Sequence, residues 1–296
     1  MPRKQNHRRG TLCIIIAVII AVAAWYVFDN HINTTPPTPQ HEITVHFIDV
    51  GQGDAVLIAA QGQFMLIDGG ERGNENNVIN YLRRAGVQRL DYIVATHPHS
   101  DHIGALANGI IDAFEVGTFI APRLSEPHDT RTYERFLAAV QRQVDQGAIA
   151  RYATAGEIIT LGDAQLTILG PLSEDSRQLN NNSVVLRLEH GATSALFLGD
   201  AERAAEHALA SEHGHSLSVC LLMAAHHGSN TSSTAELLYY AAPAHVVISV
   251  CVYNTHGHPH PAVMERLHDT GAVIHRTDIE GHIVMISDGV EFRRAS

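Results

Sequence analysis

The sequence predicts an α/β protein in which layered sheets are covered by helices. Three observations carry this. Short strand-like runs crowd the first part of the chain. Helical stripes alternate with strands after them. The 296 residues are 45% hydrophobic, enough to bury a sizeable core. In order, Ile43–Val50, Ala55–Ala60 and Phe64–Ile67 read as strands punctuated by Gly51, Gly53 and Gly62. Asn76–Ala85 places Val78, Ile79 and Leu82 at helical spacing. Tyr92–Ala95 is a strand, His102–Asn108 a short helix and Val116–Ala121 a strand. Thr130–Gln146 carries Phe136, Leu137, Val140 and Val144 on one helical stripe. Two hairpins follow, Ile158–Leu161 with Leu166–Leu169 and Val184–Leu188 with Ala195–Leu198. Helices 201–210, 234–241 and 262–269 then alternate with strands 218–223, 246–250, 273–276 and 282–287. No repeat is visible.

The N-terminus is a different kind of sequence. Arg3, Lys4, Arg8 and Arg9 precede an uninterrupted apolar run, Leu12 to Phe28, that ends in Trp25-Tyr26-Val27-Phe28. A membrane-spanning helix needs roughly 17–25 such residues, and basic residues favour the cytoplasmic side. The expectation is a basic tip (1–11), a single transmembrane anchor (12–28), a Pro/Thr linker (29–40) and one outward-facing domain (41–296). That places the chain in the cytoplasmic membrane, with the domain on the periplasmic or exterior side. Ala21-Val22-Ala23 keeps the alternative of a cleaved signal and a secreted domain open.

Charge limits the partners. Removing those four N-terminal residues from the 20 basic ones leaves 16 against 31 acidic, a balance of -15, and Lys4 is the sole lysine. Nucleic-acid affinity ordinarily rests on phosphate neutralisation by Lys and Arg. Tight duplex binding is therefore disfavoured, although bound dications would offset the field locally. Cys13, Cys220 and Cys251 form no disulfide framework and no zinc-finger spacing.

The chemistry is concentrated in His97-Pro98-His99-Ser100-Asp101-His102, directly after an apolar strand. Imidazole nitrogen and carboxylate oxygen suit divalent transition metals. His97 and His99, two apart, can face one ion; Asp101 and His102 can serve a second. Asp200 ends the buried-type strand Ser194–Leu198, and a carboxylate there can bridge two cations or cap the next helix. Another apolar run empties into His226-His227-Gly228-Ser229. We assign His226 as the ligand of the second ion and His227 to substrate or a supporting partner. No serine nucleophile elbow is present.

Together with His46-Phe47-Ile48-Asp49-Val50-Gly51-Gln52-Gly53-Asp54, Ile67-Asp68-Gly69-Gly70, Asn181-Asn182-Ser183 and Gly257-His258-Pro259, this ordered series resembles the metallo-β-lactamase superfamily. More narrowly it is similar to the hydrolase domain of the ComEC family of competence proteins. The resemblance runs from about residue 41 to the C-terminus. It implies an αββα sandwich with two divalent ions at the edge between the sheets. His97 and His99 would hold the first, Asp101 and His102 the second, with Asp200 between them. Many superfamily members supply a further histidine to the first ion, whereas the Asn180-Asn181-Asn182-Ser183 stretch has none. Asparagine oxygen is a harder donor, so the metal is zinc or manganese.

The implied activity is hydrolysis of a phosphodiester by water whose pKa the ions lower from about 15.7 to roughly 7. Asp101 would orient the nucleophile and His258 would stabilise charge or protonate the leaving group. Asp49, Asp54, Asp68, Asn182, Ser183, His227, Ser229 and Asn254 form the expected supporting or substrate-contacting set, with turn formation an equal explanation for Asp49 and Asp54. The implied substrate is single-stranded DNA during uptake, beside smaller phosphodiesters or envelope phosphate esters. A β-lactam is the less suited alternative within the enzyme class. A non-catalytic partner of a separate DNA-uptake channel is the alternative outside it.

Overall fold

The computed structural model describes residues 41–295, except 126, 127, 129 and 174–176. The first strands are β1 (Ile43–Phe47), β2 (Val56–Ala60), β3 (Gln63–Ile67), β4 (Arg89–Val94), β5 (Glu115–Ala121) and β6 (Ile149–Tyr152). Next come β7 (Ile158–Leu161), β8 (Ala164–Gly170), β9 (Val185–His190), β10 (Thr193–Phe197), β11 (Leu221–Met223) and β12 (His245–Ile248). The last are β13 (Val273–Arg276), β14 (Ile283–Ser287) and β15 (Phe292–Arg294). They form an eight-stranded sheet, β15-β14-β1-β2-β3-β4-β5-β6, and a seven-stranded sheet, β13-β12-β11-β10-β9-β8-β7.

Both sheets are mixed. β3 to β6 and β10 to β13 run parallel, and the hairpin strands run antiparallel. Parallel neighbours need crossovers, and the helices supply them. The alternation of β1 sends Val45 and Phe47 between the sheets, where they meet Leu186, Leu188, Phe197 and Met223. β2 is buried on both faces, as is the end of β4 at Ile93 and Val94, so Leu57 and Ile93 pack outward. Helices α1 (Glu75–Arg84), α2 (Ser100–Ala105) and α3 (Arg131–Val144) cover that outer face with Val78, Leu82, Ile103 and Phe136. Helices α4 (Arg203–His213), α5 (Ala235–Ala241) and α6 (Pro261–Asp269) cover the other sheet with Leu209, Leu237, Val263 and Leu267. The result is the expected four-layer αββα arrangement.

Several elements depart from the sequence expectation. Helical chain after the metal motif starts earlier, at Ser100, and continues through a wide turn (Leu106–Ile110) to Ala113. Periodicity missed β6, because Ile149, Ala150 and Tyr152 are exposed and show no alternation. It also missed β15, three residues with one buried side chain. The strand expected over 218–223 is confined to Leu221–Met223, since Val219 gives its N–H to Ala241 outside the ladder. Cys220 and Cys251 are free thiols. The apolar run 12–28 lies outside the described residues. Among the described residues no helix is long and apolar enough to cross a membrane.

Candidate metal centre

The site forms where strand ends of both sheets reach one edge. β3 ends into Asp68, β4 into Thr96 and His97, β10 into Gly199 and Asp200, and β11 into His226 and His227. Two backbone bonds join these ends: Val184 N–H to the Thr96 carbonyl at 2.9 Å and His226 N–H to the Gly199 carbonyl at 3.0 Å. Gly199 has φ +52°, and a Cβ there would lie 2.9 Å from the Thr96 Cβ. Only glycine accepts both the left-handed turn and that approach. Gly53 acts similarly at the opposite wall, where a Cβ would collide with the Asp101 carbonyl.

Two donor groups share Asp200. In the first, His97 Nε2 and His99 Nδ1 are 3.0 Å apart and His97 Nε2 is 3.6 Å from Asp200 Oδ2. In the second, His102 Nε2 is 3.2 Å from Asp200 Oδ1 and 3.9 Å from Asp101 Oδ2. His227 Nε2 completes it, 3.4 Å from Asp101 Oδ2 and 3.6 Å from Asp200 Oδ1. His97, His102, Asp200 and His227 are buried.

Behind these donors stands an orienting layer. Asp68 accepts the Nδ1–H of His102 at 2.8 Å, and is itself held by the Thr96 N–H at 2.8 Å and the Thr96 hydroxyl at 2.6 Å. His227 directs Nδ1 to the Ser249 carbonyl at 3.1 Å and to Asp54 Oδ1 at 3.2 Å. Each ring is thereby fixed with Nε2 toward Asp200. Ser183 accepts the Asp200 N–H at 3.2 Å and lies 3.5 Å from His97 Nδ1. Asn182 donates to the Arg123 carbonyl, leaving its buried amide oxygen without a hydrogen-bond partner.

The order of the two adjacent histidines corrects the sequence assignment. His227, not His226, joins Asp101, His102 and Asp200, and His226 belongs to none of the donor groups. Strand alternation ends at Met223; His226 and His227 then take φ +53° and +55°, and this left-handed turn carries the second ring inward. His226 remains at the rim, its Nε2 3.6 Å from Asp200 Oδ2 and its Nδ1 3.1 Å from the Thr231 hydroxyl. Glu202, which sequence reasoning did not single out, stands 3.5 Å from the same Nδ1.

Asp49 is likewise not brought into the centre. Its carboxylate accepts the Gly51 N–H at 3.0 Å and builds the turn. Ser229 serves the next turn, accepting the Thr231 N–H at 3.3 Å. Asn254 braces the loop that carries His258, whose ring lies 5.7 Å from that of His226. His190, the next histidine after the asparagine stretch, is buried against Ser287 and lies in neither donor group.

The electrostatics follow from burial and neighbours. Burial holds the His97 imidazolium well below its ordinary range, with the charge of His102 adding to the effect. Burial also opposes charge on His102, but Asp200 and Asp68 outweigh it and raise its pKa well above 6.5. Burial opposes charge on His227 too; Asp200, Asp54 and Asp101 push it up to about 10. Asp200 is held well below the usual carboxylate range by His102, His227 and His97 despite its burial. Burial, His226, His227 and His256 lower His258 to about 4.

The residues fit a divalent cation. His102 Nε2, His227 Nε2 and Asp200 Oδ1 are buried, have no hydrogen-bond partner, and face one another. Buried polar atoms in that state cost free energy unless something binds them. Two imidazole nitrogens with Asp101 and Asp200 form a nitrogen–oxygen set suited to a borderline transition metal.

The sequence profile of the metallo-β-lactamase superfamily matches residues 48–252. Over 301 aligned residues the chain is 31% identical to "Recombination protein 2" of Haemophilus influenzae, covering 99% of this chain and 34% of that protein. It is 28% identical over 267 residues to "ComE operon protein 3" of Bacillus subtilis, covering 83% and 33%. It is 30% identical over 250 residues to "Competence protein ComA" of Neisseria gonorrhoeae, covering 82% and 32%. The chain thus spans about a third of the length of these relatives. Among solved structures, the metallo-β-lactamase fold protein YhfI of B. subtilis aligns with TM-score 0.56 and 13% identity, over 83% of this chain and 100% of that one. CmlA, a diiron β-hydroxylase of Streptomyces venezuelae, aligns with TM-score 0.53 and 15% identity, over 88% and 55%. Both likenesses concern the fold.

Proposed function

Because the chain belongs to the metallo-β-lactamase superfamily, we propose that it is a binuclear metal-dependent hydrolase of phosphodiesters acting in DNA uptake. The observation that carries the reading is the sharing of Asp200 by two adjacent donor groups. His97, His99 and Asp200 would hold one ion, with Asn182 offering an amide oxygen in place of the missing histidine. Asp101, His102, His227 and Asp200 would hold the other. Zinc or manganese at these positions supplies Lewis acidity and lowers the pKa of water.

The protein's own part is positional. Asp68 and the Ser249 carbonyl hold His102 and His227 in fixed tautomers, with the Asp54 carboxylate beside His227 Nδ1. Asp101, partly open at the rim and kept ionised by its histidine neighbours, orients the attacking water. His258 is kept neutral by its surroundings, so its ring can hydrogen-bond the leaving oxygen without repelling the cations. The names of two relatives, a recombination protein and a competence protein, favour DNA over a β-lactam. An anchor at 12–28 would place the domain outside the cytoplasmic membrane, beside a separate uptake channel; fractionation of a reporter fusion tests that placement.

The activity is tested with bis-p-nitrophenyl phosphate in the presence of Zn²⁺ or Mn²⁺. Turnover that disappears on chelation and in Asp101→Ala is expected. A fully metallated protein that hydrolyses no phosphodiester would sink the reading in favour of a binding role.

A further inference from the structure

The chain between β12 and α6 includes a loop that is fixed at its base and bare at its tip. Asn254 Nδ2 donates to the carbonyls of Cys251 at 2.6 Å and His258 at 2.7 Å. Its Oδ1 accepts the N–H groups of His256 at 3.2 Å and His258 at 2.9 Å. One amide thus fixes the loop before any substrate arrives. The far end of the loop reaches the rim of the site through His258, beside His226. The near end leans on the Gly51–Gly53 turn, where the Cys251 N–H meets Gln52 Oε1 at 3.4 Å. Between these ends, Val252 and Tyr253 are 60% and 89% exposed. Tyr253 takes part in no hydrogen bond or ring contact among the described residues. The fold therefore makes no use of this side chain.

We propose that Tyr253 is a stacking platform for an unpaired nucleobase adjoining the phosphodiester at the metal centre. This rests on the phosphodiesterase reading above. Charge decides the form of recognition. A chain of net charge -11 with one lysine has few cations to spend on phosphates. Aromatic stacking does not need them, tolerates any base, and requires a base face that a duplex keeps covered. A preformed loop also loses little conformational freedom when a base settles on it.

The test is equilibrium binding of a labelled oligothymidylate to the wild-type protein, Tyr253→Ala and Tyr253→Phe, with bis-p-nitrophenyl phosphate turnover measured in parallel. Tyr253→Ala is expected to weaken binding about 5–150-fold, the range of one base–aromatic stack, while Tyr253→Phe stays within about twofold. Unchanged binding in Tyr253→Ala overturns the proposal. An equal loss in Tyr253→Phe also overturns it, because the hydroxyl and not the ring would then matter. If Tyr253→Ala loses oligonucleotide binding but the wild type hydrolyses no phosphodiester, the platform stands and the catalytic reading fails.

Discussion

Asp200 gives one oxygen to each half of the donor set, Oδ2 toward His97 at 3.6 Å and Oδ1 toward His102 at 3.2 Å. Around it the roles of neighbouring residues separate cleanly enough to test. His227→Ala should lower affinity for the second ion, and His226→Ala should leave bound metal unchanged; isothermal titration with Zn²⁺ compares them. Asp68→Asn should weaken binding about 10–100-fold, because His102 loses the acceptor that fixes its tautomer. His97, His99, Asp101 and His102 were legible because one six-residue stretch supplies all four donors. Asp54 was legible as an acidic group at a glycine turn, and Asp68, through the family resemblance, as a carboxylate that supports the donors. The choice between His226 and His227 was not legible, since it depends on two successive left-handed residues that no apolar periodicity announces. Glu202 was missed because it meets His226 only after β10 and β11 are paired.

At the scale of elements, the strand ends set the precision of the site. Gly199→Ala must place a methyl group against Thr96 and Ser183 in a left-handed turn. A loss of about 2 kcal/mol or more in urea unfolding is expected, since αL strain alone costs roughly 1–2 kcal/mol for an L-residue. β1 is tied to α1 by His46, whose Nδ1 meets the Tyr81 hydroxyl at 2.8 Å and whose Nε2 meets Thr44 at 2.8 Å. Burial lowers the His46 pKa from 6.5 to about 4. The unfolded chain therefore binds the extra proton between those values, so this contribution is full above pH 6.5 and is lost as pH falls toward 4. His46→Gln should flatten that part of the stability–pH curve; unfolding midpoints of the two proteins across pH 4–7 check it, and parallel curves would refute it. Amphipathic helices such as α1 and α3 showed their buried stripes in the sequence. β6 did not, because an exposed edge strand needs no alternation.

Across the whole molecule, two mixed sheets enclose one apolar layer, and the chemistry lies at its rim where that layer ends. Alternating elements made the layered class legible. The sandwich with its site at the edge between two sheets came from the family resemblance and not from periodicity; the strand order that brings β4 and β10 to that edge is visible only in the structure. The acidic surface makes a further prediction: oligonucleotide binding should depend only shallowly on salt, because few counterions are released by so few basic contacts. A steep slope would point to an arginine track instead. The most direct measurement is the metal content of the folded chain after saturation with Zn²⁺ or Mn²⁺ and desalting. Two ions per chain in the wild type, falling to less than one in Asp200→Ala, is the expected result. A wild type that retains only traces, or an Asp200→Ala protein that still holds both ions, would contradict a shared carboxylate at a binuclear centre.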